Sequence, residues 1–98
     1  METHKYSTMI IINPKADFFK MAEMAKNIIT NNGGIIEDEH IELDKKLAYE
    51  IDGNKQANCL IIYFKGTTNT TKEYDREIKK EADVLRHLII RNWYNQYN

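Results

Sequence analysis

The side chains able to do chemistry in this chain fall into three sets: histidines, a run of carboxylates and a pair of lysines. His4, His40 and His87 stand far apart, without the close spacing that lets side chains share a metal ion. Glu37, Asp38, Glu39, Glu42 and Asp44 could offer oxygens to a divalent cation. An extended chain sends successive side chains to opposite faces, so these five divide between two sides and read as a solvated edge. No serine–histidine–aspartate or cysteine–histidine arrangement suggests a nucleophile. Gly33-Gly34 has neither the phosphate-loop pattern nor a strand leading into a helix start. The expectation is a non-enzyme with no cofactor, no metal and no small-molecule substrate. Lys45-Lys46 remains, two cations suited to phosphate at the entrance of Leu47-Ala48-Tyr49-Glu50-Ile51. There Leu47, Tyr49 and Ile51 share one strand face, and Lys46, Ala48 and Glu50 the other.

Bulk composition narrows the setting of those lysines. Ninety-eight residues make one domain, 1–98, with a thin core and a short flexible tail at about 92–98. Fourteen basic against fifteen acidic residues exclude a nucleic-acid binder that works by overall charge. Any RNA contact must come from a few local cations, or a second protein must bring the positive charge. Cys59 is the only cysteine, which excludes an internal disulfide and a cysteine-rich zinc site and suits a reducing compartment. Met1 to Lys5 has no apolar core, so no secretory signal is expected, and the apolar runs are too short to span a bilayer.

The elements follow from periodicity. Met9-Ile10-Ile11-Ile12 is apolar throughout, so Tyr6 to Ile12 reads as a strand covered on both faces, stopped by Asn13-Pro14. Phe18, Met21, Ala22, Ala25, Ile28 and Ile29 form one stripe of a helix from about Asp17 to Asn31, and Asn32-Gly33-Gly34 ends it. Ile35 to Ile51 is a long strand, bent or bulged near its middle, whose carboxylates mark it as a sheet edge. A hairpin loop over Asp52-Gly53-Asn54-Lys55-Gln56 returns into Ala57 to Lys65, apolar enough for a central strand. Thr70 or Thr71 should cap a second helix reaching about Ala82, with acids in its first turn and Tyr74, Ile78, Ala82 and Leu85 facing inward. Val84 to Arg91 is the last strand. This order predicts an α+β, ferredoxin-like βαββαβ fold: a four-stranded antiparallel sheet with two helices on one face. Its open face should carry Ile, Tyr or Cys side chains, and exposed apolar area of that kind marks a docking surface. A homodimer burying the same face is the alternative.

Four stretches, in order, carry a resemblance over nearly the whole chain: Lys5-Tyr6 with its strand and Asn13-Pro14, Asn32-Gly33-Gly34, Lys45 to Ile51, and Val84 to Arg91. Together they resemble the bacterial-type small-subunit ribosomal protein six family, whose central signature is a basic pair followed by Leu-Ala-Tyr-x-Ile. The chain departs from it at Glu42-Leu43-Asp44, where the family has tryptophan or glycine. It departs again in using two lysines, point charges rather than the planar forks of arginine.

The resemblance implies a structural protein of the small ribosomal subunit, on a cytoplasmic or organellar ribosome. It implies binding to the central domain of small-subunit rRNA together with the basic small-subunit ribosomal protein eighteen. Lys5, Lys45, Lys46, Arg86 and Arg91 are then the expected RNA contacts, and Glu37, Asp38, Glu39, Tyr49 and Tyr63 the expected protein contacts. One rival reading is a stand-alone RNA- or protein-binding module stacking bases on Tyr63 and Phe64, which lacks the glycine- and aromatic-rich consensus. Another is an acylphosphatase-shaped enzyme, for which Asn13-Pro14-Lys15 offers no phosphate cradle.

Overall fold

The computed structural model describes residues 2–92. The elements are β1 (His4–Ile12), α1 (Phe18–Asn31), β2 (Ile35–Ile51), β3 (Asn54–Gly66), α2 (Thr68–Ile78) and β4 (Val84–Arg91). The sheet order is β2-β3-β1-β4 and every neighbouring pair is antiparallel, which is the ferredoxin-like plan. β2 and β4 are the edges, as charge patterning requires of β2.

The two central strands are covered on one face only. Tyr6, Thr8, Ile10 and Ile12 of β1 and Leu60, Ile62 and Phe64 of β3 are buried, whereas Met9, Ile11 and Ile61 between them are half-buried. The expectation of cover on both faces of β1 is therefore corrected: the helices shelter one side, and the apolar residues of the other face outward. Phe18, Met21, Ala22, Ala25, Ile28 and Ile29 of α1, the stripe read from sequence, join Tyr74 and Ile78 of α2 in this core. Within it the Tyr74 hydroxyl and Thr8 Oγ1 lie 3.0 Å apart, so two buried polar groups satisfy each other.

Local chemistry sets the boundaries. Asp17 caps α1 by accepting from the Lys20 N–H. At its other end Gly33 takes φ +85°, and the Gly33 and Gly34 N–H groups bond the Thr30 and Ile29 carbonyls. α2 differs from its expected form. Thr67 is its cap, in a reciprocal box with Thr70, there is no acid in the first turn, and the helix ends at Ile78. Ala82 is exposed, and Leu85 packs on the opposite face of the sheet from Tyr74. The β2–β3 hairpin also closes more tightly than expected, through Asp52 and Gly53 alone with φ 49° and 81°, because β3 begins at Asn54. Asn92, assigned to a flexible tail, is instead buried, its N–H on the Lys5 carbonyl. The rest of that tail, 93–98, lies outside the described residues.

Candidate protein and nucleic-acid interface

In an antiparallel sheet, directly paired residues point to the same face, so the strand register lays out the face without helices as rows. Asp38, Tyr63, Ser7 and Ile90 make one row from β2 to β4, and His40, Ile61, Met9 and Leu88 the next. Glu42, Cys59, Ile11 and Arg86 follow. In these three rows the β2 column is polar, with the exposed Ile35 paired to Lys65 beyond them, the middle columns are mainly apolar, and β4 adds Leu88 and Ile90, 49% and 48% exposed. One end of the face is closed by a second cluster, where Ile51, Ala57 and Leu85 are buried and Ile11 and Leu47 pack against them. There the long hairpin folds onto the sheet. Cys59 is buried, and its burial raises the thiol pKa, which disfavours the thiolate.

The predicted protein contacts separate. Tyr63, 37% exposed, and Asp38 belong to the open face. Glu39 pairs with Ile62 in register and turns to the helix side, where Lys26 Nζ lies 3.1 Å away. Glu37 sits in the bulge between Ile36 and Asp38, 3.9 Å from Lys5 Nζ. Tyr49 is 71% exposed on the hairpin and makes no part of the cluster that buries Ile51. Phe64 is fully buried among the helices, which removes it as a base-stacking surface.

The predicted RNA contacts also divide. Lys45 and Lys46 are exposed on the hairpin, and Arg86 is exposed on β4 with its Nη1 on the Leu85 carbonyl. Lys45 Nζ lies 3.0 Å from Glu42 Oε2, and His40 Nε2 3.5 Å from the other oxygen. The Lys45 hydrogen bond, then that of His40, lowers the Glu42 pKa, and Glu42 raises that of Lys45. Lys5 is exposed at the far end of β1, and Arg91 is half-buried with Nη2 2.7 Å from His4 Nδ1. The five cations thus surround the sheet and do not form one patch. Met9, Ile61, Leu88 and Ile90 were not singled out from sequence, although the lost alternation of the strands pointed to them.

A family model described as ribosomal protein S6 matches residues 5–91. The chain belongs to the ribosomal protein S6 family. It is 36% identical to the small ribosomal subunit protein bS6 of Clostridium acetobutylicum, over 89% of this chain and 95% of that one. It is 31% identical to that of Bifidobacterium longum, over 93% and 97%. The crystal structure of 30S ribosomal protein S6 from Thermotoga maritima shares the fold, with TM-score 0.92 and 22% identity over 98% of this chain and 94% of that one. Members of the S6 family are structural components of the small ribosomal subunit and not enzymes. In this S6-family chain, no group of His, Cys, Asp and Glu among the described residues could hold a metal ion. None of its described helices is long and apolar enough to cross a membrane.

Proposed function

We propose that this S6-family chain binds the central domain of small-subunit rRNA jointly with the basic small-subunit ribosomal protein eighteen, on a cytoplasmic ribosome. The observation that carries the reading is the half-exposed apolar face of Met9, Ile61, Tyr63, Leu88 and Ile90 on a chain of net charge −1. Such a face is stabilised by a protein, and such a charge leaves most phosphate neutralisation to that protein. Asp38 and Glu42 along the β2 side meet its cations, which favours encounter in the right orientation more than raw affinity. Glu37, whose carboxylate reaches Lys5 at the end of that face, makes its contact there, and Glu39 and Tyr49 lie beyond it and make the outer contacts. Lys45, Lys46 and Arg86 reach phosphate directly, and Lys5 and Arg91 extend the contact at the other end of the sheet.

The test mixes the purified chain with protein eighteen and a fragment of the central rRNA domain, and follows sedimentation. The expected result is a three-component complex, with little binding of RNA by this chain alone. Failure to assemble while each component is folded overturns the reading. Binding of single-stranded RNA by this chain alone, weakened by Tyr63→Ala, would replace it with the stand-alone module.

A further inference from the structure

The two edges of the sheet are finished differently. β2 has three register shifts against β3, a left-handed Asp44 at φ 53° and charges along much of its length. Bulges break the even spacing that an incoming strand needs, and charge discourages its approach. β4 has one shift, at its start, and then runs in unbroken register with β1 from Arg86 to Arg91. The Asn92 N–H donates to the Lys5 carbonyl at 2.9 Å, which makes those two a hydrogen-bonded pair. Such pairs recur every second residue, so Ile90, Leu88 and Arg86 bond inward to β1. His87 and Ile89 therefore turn both N–H and C=O away from the sheet. Among the described residues no strand pairs with that side of β4.

The surroundings of this edge specify what it would take. β4 contains no carboxylate, and Arg86 is exposed on its open-face side. On the helix side Lys79 Nζ lies 2.8 Å from Asp75, whose other oxygen is 2.7 Å from His87 Nε2, so that carboxylate and that lysine are engaged with each other. RNA would answer the cations but not the alternating amide and carbonyl of His87 and Ile89. A second copy pairing through its own β4 would bring no carboxylate to answer Arg86, and its β2 is bulged. We propose that the β4 edge accepts an extended acidic segment of another protein as an added antiparallel or parallel strand, fixed by the backbone of His87 and Ile89 and attracted by Arg86. Its alternate apolar side chains would continue the row of Leu88 and Ile90. This site lies outside the open face and stands whether or not protein eighteen is the partner there.

Amide hydrogen exchange by NMR tests it on the full chain. The probe is a short peptide alternating glutamate and valine, with a lysine–valine peptide and a uridine oligonucleotide as comparisons. The expected result is slowed exchange at the His87 and Ile89 amides with the acidic peptide alone, and little change at Leu88 and Ile90. Arg86→Glu should weaken that peptide about two- to five-fold without altering the spectrum of the sheet. Equal protection by the lysine peptide or by the oligonucleotide overturns the proposal. So does slow exchange at His87 and Ile89 in the free chain, since the edge would then be covered already by the chain itself or by a copy.

Discussion

Two residue-level contacts have consequences that solution measurements can read. Thr8 and Tyr74 join β1 to α2 by one buried hydrogen bond, and burial raises the Tyr74 hydroxyl pKa. Tyr74→Phe leaves the Thr8 hydroxyl without its partner and should cost about 1–3 kcal/mol in urea denaturation. Adding Thr8→Val should recover part of that loss, because both polar groups are then gone. At the surface, the hydrogen bond from His87, then that from Lys79, holds the Asp75 carboxyl below its usual range. A carboxyl lowered by folding contributes stability above its unfolded pKa and loses it as pH falls through the folded value. The urea midpoint of the wild type should thus fall more steeply than that of Asp75→Asn below the ordinary carboxylate range. These partners were not legible in the sequence. His87 read as a plain strand residue, and its contact with Asp75 depends on how α2 lies over β4.

At the scale of elements, the helix ends carry the sharpest tests. A Cβ on Gly34 would come within 2.9 Å of the Ile29 carbonyl oxygen and 2.5 Å of Ile29 Cγ2. Gly34→Ala should therefore destabilise by about 1–3 kcal/mol, measured as a lower thermal midpoint. Thr67→Ala removes the cap of α2 and should cost about 1 kcal/mol by the same measurement. Periodicity made α1 readable to the residue, because a single apolar stripe and a glycine stop agree. It misplaced the ends of α2 because several threonines compete for the cap. Ala82 and Leu85 continue the helical spacing after the helix has ended at Ile78. Strand order and the edge position of β2 followed from charge and apolar runs. The two-residue turn did not, since Asn54 and Gln56 are polar in a strand whose hairpin projects beyond the main core.

For the whole molecule, the decisive feature is an asymmetric sheet, with two helices over one face and a mainly apolar face opposite. The open face was legible in outline, because central strands without alternation cannot be sheltered on both sides by two helices. Its boundaries were not. They depend on bulges that send Glu39 to the helix side and Asp38 to the open side, and on a hairpin that closes one end over Leu85. Lys46→Glu should weaken RNA binding by the assembled pair several-fold, and should flatten its salt dependence, while leaving the stability of the free chain unchanged. The most direct test of the account is calorimetric titration of protein eighteen into the wild type and into Leu88→Glu, whose change lies on an exposed position. The account predicts that Leu88→Glu binds at least about ten-fold more weakly, in keeping with loss of an anchor side chain, at an unaltered urea midpoint. Equal affinity for both proteins would contradict it.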